Sequence, residues 1–258
     1  MNRRSKAAAI LAAATLATAV FGAFPSSAAT TAGTDNSWCT THNNVAILGT
    51  SADTGYATTG YPSTGQTYVA TTYGWTYRFS QSLAGGWGTK VQNYAHNGAL
   101  ATDYLTGGRW TSTTGAFADM TANAPNLIII DLGGNEFYSQ ADPATFAANL
   151  KTIVDDVKTA SPGASILLSI YAQMHWSANQ YATTETHTWD DYAAQIYNTA
   201  VNEGVALIDM RQYIPPADST TLPNPSPWYT DQIHLNDAGN LAEYGGFWGW
   251  TSSIASLC

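Results

Sequence analysis

Basic residues are scarce: nine Lys and Arg stand against eighteen Asp and Glu in 258 residues, a formal charge of −9. Such a chain has no electrostatic footprint for a phosphate backbone, which excludes nucleic acid as a partner and disfavours acidic substrates. Cysteine is rarer still, with two residues, too few for a disulfide framework or a zinc site built on thiolates. His42, His96, His175 and His187 are scattered without the close spacing of metal ligands, so no metal is expected. Internal repeats, heptads and a linker between two cores are all missing. Charged residues make up 10% of the chain, whereas hydrophobic residues reach 45% and aromatics 12%, a balance that excludes disorder and implies one well-packed globular domain.

The long apolar run that does occur lies at the start. Arg3, Arg4 and Lys6 precede an apolar stretch over residues 7–24 and a small-residue exit at Ser26-Ser27-Ala28-Ala29. This order is that of a secretory signal peptide, so residues 1–29 are expected to be removed, leaving residues 30–258 as the folded, extracellular domain. A membrane anchor is the alternative, but the run is short and rich in Ala and Thr, and nothing later is long enough for stable insertion in a bilayer. In an oxidising compartment Cys39 and Cys258 are expected to pair, tying the two ends of the domain together.

Five short β-rich runs, at residues 45–48, 90–94, 126–132, 165–170 and 205–209, are mostly apolar throughout instead of alternating. Strands covered on both faces have this pattern and belong to parallel sheets flanked by helices. Helices are expected at about 68–83, 143–160, 188–203 and 237–253. The second opens with Asp142-Pro143, a cap followed by proline at the first helical position, and sets Phe146, Leu150, Ile153, Val154 and Val157 on one face. Strands alternating with helices imply an α/β sandwich. Long loops are expected at 52–72 and 214–227, where they can border a site.

In a parallel sheet the site lies at the carboxyl ends of the strands, so the residues after each strand carry the information. Gly49-Thr50-Ser51 follows the first run, His96-Asn97-Gly98 the second and Gly133-Gly134-Asn135-Glu136 the third. Near the C-terminus Asp231-Gln232-Ile233-His234 places an acid and a histidine three positions apart. A serine hydroxyl needs an adjacent base to attack a carbonyl, and the base benefits from a carboxylate that fixes its tautomer. Ser51, His234 and Asp231 can fill these roles. An oxyanion would then be met by the backbone N–H groups of Ser51 and Gly98 and by the Asn135 side-chain amide.

In these four blocks, Gly49-Thr50-Ser51, Gly98, Gly133-Gly134-Asn135-Glu136 and Asp231-Gln232-Ile233-His234, the chain resembles the SGNH hydrolases, also called GDSL esterases and lipases. The resemblance implies a three-layer α/β/α sandwich with a flavodoxin-like, mostly parallel five-stranded sheet, with Ser51 as nucleophile, His234 as base, Asp231 as its partner and Ser51, Gly98 and Asn135 around the oxyanion. It implies hydrolysis of carboxylic esters without a cofactor, the substrate being a small-molecule, lipid or polysaccharide ester. Two positions depart from the family pattern: Thr50 stands where an aspartate usually precedes the nucleophile, and Glu136 where an aspartate usually follows the asparagine.

Three other readings are compatible with parts of the pattern. An acetyl-polysaccharide esterase fits export and loop aromatics, with Phe137, Tyr138, Trp176, Trp228 and Tyr229 near the site blocks and able to line an acyl or sugar pocket. A glycan-binding protein on a hydrolase scaffold would explain the Thr50 and Glu136 departures. An Asp53/Glu136 carboxylate pair as in glycoside hydrolysis leaves Asp231 and His234 without a purpose. Oligomeric state leaves no signature in the sequence.

Overall fold

The computed structural model describes residues 37–62, 72–214, 216 and 227–257. Five strands, β1 (Asn44–Leu48), β2 (Lys90–Asn93), β3 (Leu127–Ile130), β4 (Ser165–Ile170) and β5 (Ala206–Asp209), form one sheet in the order β2-β1-β3-β4-β5. Every pairing is parallel. Side chains alternate across the sheet: Ala46, Leu48, Ile128 and Ile130 enter one hydrophobic cluster, and Val45, Ile47, Leu127 and Ile129 the other. Each is buried, worth about 2 kcal/mol for a Val, Leu or Ile side chain. Burial on both faces is why these strands read as unbroken apolar runs.

One face is covered by helices α4 (Ala116–Asn123), α6 (Pro143–Ala160) and α7 (Trp189–Glu203), the other by α2 (Gly74–Trp87) and α8 (Asp237–Leu257). Helix α6 forms as its sequence demands. Asp142 accepts the Thr145 N–H at 2.9 Å, Pro143 occupies the first turn, and Phe146, Leu150, Ile153, Val154 and Val157 are buried. Helix α7 is opened by the Thr188 N–H donating to Asp191 Oδ2 at 2.7 Å, and α8 by Asn236 Oδ1 receiving the N–H groups of Ala238 and Gly239. Trp38 seals the second face, its indole N–H donating to the Thr251 carbonyl at 3.0 Å.

The helix expected at 68–83 is displaced. Its first residues lie outside the described ones, and the described helix runs from Gly74 to Trp87, ending where Gly88 turns left-handed at φ 70°. Four short helices were not foreseen: α1 (Ser51–Thr54), inside the expected loop at 52–72, then α3 (Thr111–Thr114), α4 and α5 (Gly134–Ser139). They are too short to print a period; α4 buries Ala116 and Met120 alone. The expected signal segment, Cys258 and most of the 214–227 loop lie outside the described residues. Among the described residues no helix is long and apolar enough to cross a membrane.

Candidate active site

From β1 the chain crosses to β2 on one side and, by way of β2, to β3 on the other, so the carboxyl ends of β1 and β3 flank a crevice where ligands bind in open α/β sheets. Ser51 is the first residue of α1, three residues beyond the end of β1. Two contacts fix that helix: the Thr50 N–H donates to Asp53 Oδ2 at 2.7 Å, and Thr50 Oγ1 receives the Ala52 N–H at 3.4 Å. Thr50, where the family carries an aspartate, is thus a helix cap. Gly49 is required by close approach, because a Cβ there would lie 2.1 Å from Asp53 Oδ2.

Asp231 and His234 reach Ser51 on a tight loop. An antiparallel bridge between Tyr229 and Leu235 closes it, with the Thr230 N–H donating to the His234 carbonyl at 2.8 Å and the His175 N–H to the Gln232 carbonyl at 3.1 Å. Asp231 Oδ1 receives the N–H groups of Ile233 and His234, and Asp231 Oδ2 lies 2.8 Å from His234 Nδ1. A carboxylate only accepts, so Nδ1 carries the imidazole proton and Nε2, 3.0 Å from Ser51 Oγ, is left to accept. Burial alone would raise the Asp231 carboxyl, but the hydrogen bond and charge of His234 and the two backbone amides outweigh it and hold it below the usual range.

The cleft beside this chain is partly open to solvent, with Ser51, His234 and Asn135 on its walls beside Ala52, Met174 and Ile233. Asn135, in the first turn of α5, donates from Nδ2 to the Ala99 carbonyl at 2.9 Å, which orients the amide and leaves its second hydrogen available. The same bond draws the Gly98 segment alongside. Gly98 itself does not line the cavity, and among the described residues its N–H has no acceptor. Glu136, at the other departure from the family pattern, turns inward. Its Oε1 receives the Ala101 N–H at 2.6 Å, joining the segment after β3 to the one after β2, and burial pushes its carboxyl up to about 7.

Beneath Ser51 lies a group of buried carboxyls. Asp53, Asp131 and Glu243 are each at most 3% exposed. Asp53 Oδ1, Asp131 Oδ2 and both Glu243 oxygens lack a hydrogen-bond partner among the described residues. Desolvation, reinforced by their mutual charge at Asp53 and Glu243, raises all three, Asp131 to about 7. Burial thus shifts all three toward the protonated form, Asp131 among them, which also lines the cleft. The Asp53/Glu136 glycosidase pair is excluded on the same ground, since both carboxyls are buried and neither lines the cavity.

The five aromatics expected around a substrate do not form that wall. Phe137 is 1% exposed and packs edge-on against Trp189 and Tyr192 in the core. Tyr229 is equally buried, its hydroxyl donating to the Gln173 carbonyl. Tyr138, Trp176 and Trp228 are half-buried and away from the cavity lining; the Trp176 indole N–H is spent on the Tyr138 carbonyl at 3.0 Å. The walls come from residues the sequence reading passed over: Ile233, inside the Asp231–His234 block, and Tyr171 and Met174, in the segment after β4 that the strand-end rule would have reached. Tyr56 was also missed. Its ring sits 4.6 Å from that of His234, because Gly55, at φ 76° and packed against Tyr73, reverses the chain after one helical turn.

A parallel α/β/α sandwich that brings serine, histidine and aspartate together at its topological switch point defines a carboxylic ester hydrolase. The model of the GDSL-like Lipase/Acylhydrolase family matches residues 55–242, and the chain belongs to that family. The match takes in Gly98, Asn135, Asp231 and His234 and begins just after Ser51. Among solved structures the chain is similar to an aryl esterase from M. smegmatis (TM-score 0.59, 18% identity, 84% of this chain and 100% of that one). It is also similar to a carbohydrate acetylesterase from Sinorhizobium meliloti (TM-score 0.61, 17% identity, 84% and 100%). An acetylxylan esterase from Geobacillus stearothermophilus follows with TM-score 0.57, 16% identity and coverage of 81% and 94%. At these identities the similarity concerns the fold. No curated protein sequence matches the chain.

Proposed function

We propose that this enzyme hydrolyses carboxylic esters of short acyl groups through an acyl-enzyme intermediate. The observation that carries the reading is the hydrogen-bonded series Ser51 Oγ, His234 Nε2, His234 Nδ1 and Asp231 Oδ2, at 3.0 and 2.8 Å, on the wall of the cavity. Ser51 Oγ attacks the ester carbonyl while its proton passes to His234 Nε2. The tetrahedral oxyanion is met by the N–H groups of Ser51 and Gly98 and by the Asn135 amide. His234 then returns the proton to the leaving alkoxide, which departs as the alcohol, and water repeats the sequence to release the acid. Asp231 keeps the proton on Nδ1 and stabilises the imidazolium.

The space in the cleft open to the centre of a water-sized sphere is about 20 Å³, little more than one water needs, and this supports a short acyl group over a long one. Hydrolysis of p-nitrophenyl esters from acetate to palmitate tests this: turnover should be greatest at two to four carbons and fall steeply beyond. A maximum at long chains would overturn the short-acyl reading. An acetylated polysaccharide is the second reading, supported by the carbohydrate acetylesterase and acetylxylan esterase among the similar structures. Release of acetate from acetylated xylan faster than from a simple aryl acetate would establish it. Export through residues 1–29, with Cys39 and Cys258 paired afterwards, accords with both; secreted protein beginning near residue 30 and lacking free thiol is the expected product.

A further inference from the structure

In the mechanism proposed above one oxyanion donor is a loop amide, because Gly98 lies between β2 and β3 and outside any helix. The direction of its N–H is that of the Asn97–Gly98 peptide plane, whose other end is the Asn97 carbonyl. His96 Nδ1 lies 3.0 Å from that carbonyl oxygen. A carbonyl only accepts, so Nδ1 is the donor. Such a bond pins the plane, and it draws electron density toward the carbonyl, strengthening the N–H at the opposite end as a donor. The next plane is held from the other side, where Arg109 Nη2 donates to the Gly98 carbonyl at 2.7 Å.

Both holders are themselves fixed. The His96 ring is 7% exposed and stacks on Trp110 with centroids 3.7 Å apart and planes at 16°. The Arg109 guanidinium lies 4.2 Å from the centre of the same indole. Asp103 grips Arg109 through Nε at 2.7 Å and Nη2 at 2.6 Å, and its carboxyl also receives the Leu100 N–H at 2.7 Å. On the Ser51 side the Asn97 side chain receives the Thr54 hydroxyl at 2.6 Å and donates to Tyr61 Oη at 3.0 Å. The segment bearing Gly98 is therefore tied both to the helix that carries Ser51 and to a stacked histidine, tryptophan and arginine.

We propose that His96 and Arg109 are positioning residues of the oxyanion hole, holding the two peptide planes on either side of Gly98 so that its N–H meets the developing charge. This rests on the esterase reading above. Burial keeps the His96 imidazole pKa below its ordinary value, so the Nδ1 donor belongs to a neutral ring. The arrangement acts in the transition state, since a neutral ester carbonyl gains less from an aligned donor than an oxyanion does.

The test uses four variants and a short p-nitrophenyl ester. His96→Phe keeps a ring on Trp110 and removes the donor; His96→Asn places an amide N–H where Nδ1 was; Arg109→Gln removes the charged grip; Asn135→Ala removes an oxyanion donor directly. His96→Phe and Arg109→Gln are each expected to lower kcat about tenfold with KM unchanged, and to slow phosphonylation of Ser51 by a phosphonate in parallel. His96→Asn should recover most of the kcat lost in His96→Phe, although it gives up the stack. Wild-type kcat in both His96→Phe and Arg109→Gln, with a large loss in Asn135→Ala, would overturn the positioning role and leave the oxyanion hole standing. No loss in Asn135→Ala either would remove the oxyanion hole and the positioning role together. A fall in thermal stability with unchanged kcat in His96→Phe would reduce the stack to packing.

Discussion

Replacing Asp131 by asparagine should flatten a fall in stability that the wild-type protein shows between about pH 5 and pH 8. The Asp131 carboxyl rises from 3.8 to about 7 on folding and Glu136 from 4.5 to about 7, while Asp53 and Glu243 are also raised. Through that window the unfolded chain has released these protons and the folded chain still holds them. Folding then binds protons, so stability is greatest at the acid side and declines as pH climbs through the folded values. For Asp131 alone a displacement of about three units corresponds to on the order of 4 kcal/mol, or roughly 10 °C in Tm for a domain of this size. Asp103 and Asp231, whose carboxyls are lowered, act oppositely, but below about pH 4, which leaves the optimum near pH 5. The assay is thermal unfolding by circular dichroism from pH 4.5 to 8.5 for the wild type, Asp131→Asn and Glu243→Gln. Asp131→Asn removes that carboxyl's own titration and the charge that raises Asp53 and Glu243, and Glu243→Gln removes another raised carboxyl, so both slopes should be shallower than the wild type's. A wild-type Tm that climbs with pH, or an Asp131→Asn slope equal to the wild type's, would refute the buried-proton account.

Gly49→Ala should cost about 1 to 3 kcal/mol, because the new Cβ, 2.1 Å from Asp53 Oδ2, must displace the carboxyl that caps α1. Since Ser51 opens that helix, kcat should fall with Tm, and a variant normal in both would contradict the packing described. Asp231→Asn should lower kcat by roughly three to four orders of magnitude while KM stays within a few-fold and the fold is unchanged; a loss under tenfold would show that the imidazole does not depend on Asp231.

The parts of this protein that could be read from sequence are those decided by local pattern. Strand β3 is four isoleucine and leucine residues in a row, and α6 combines a capped proline start with a clean 3.6-residue period, so both fell where expected. The residues now seen as Ser51, His234 and Asp231 in one hydrogen-bonded series could be nominated because strand ends in a parallel sheet share one edge, whatever their distance in sequence. What failed was the direction of side chains on short elements. Phe137 stands two residues after Asn135, but α5 is helical, and the rotation over two residues carries the ring from the cleft into the core. Tyr56 was overlooked for the converse reason, since a left-handed glycine brings it back to His234. Asp53 lies in α1, Asp131 just after β3 and Glu243 in α8, and nothing local to any of them announces that they meet under the nucleophile.

The central claim is that Ser51, activated by His234, forms the covalent bond to the acyl group. Its most direct test is intact mass after treatment with a serine-directed phosphonate, run beside p-nitrophenyl acetate hydrolysis, for the wild type and Ser51→Ala. The account predicts one adduct and turnover in the wild type, and neither in a folded Ser51→Ala. Turnover or adduct formation persisting in Ser51→Ala would place the nucleophile elsewhere and contradict it.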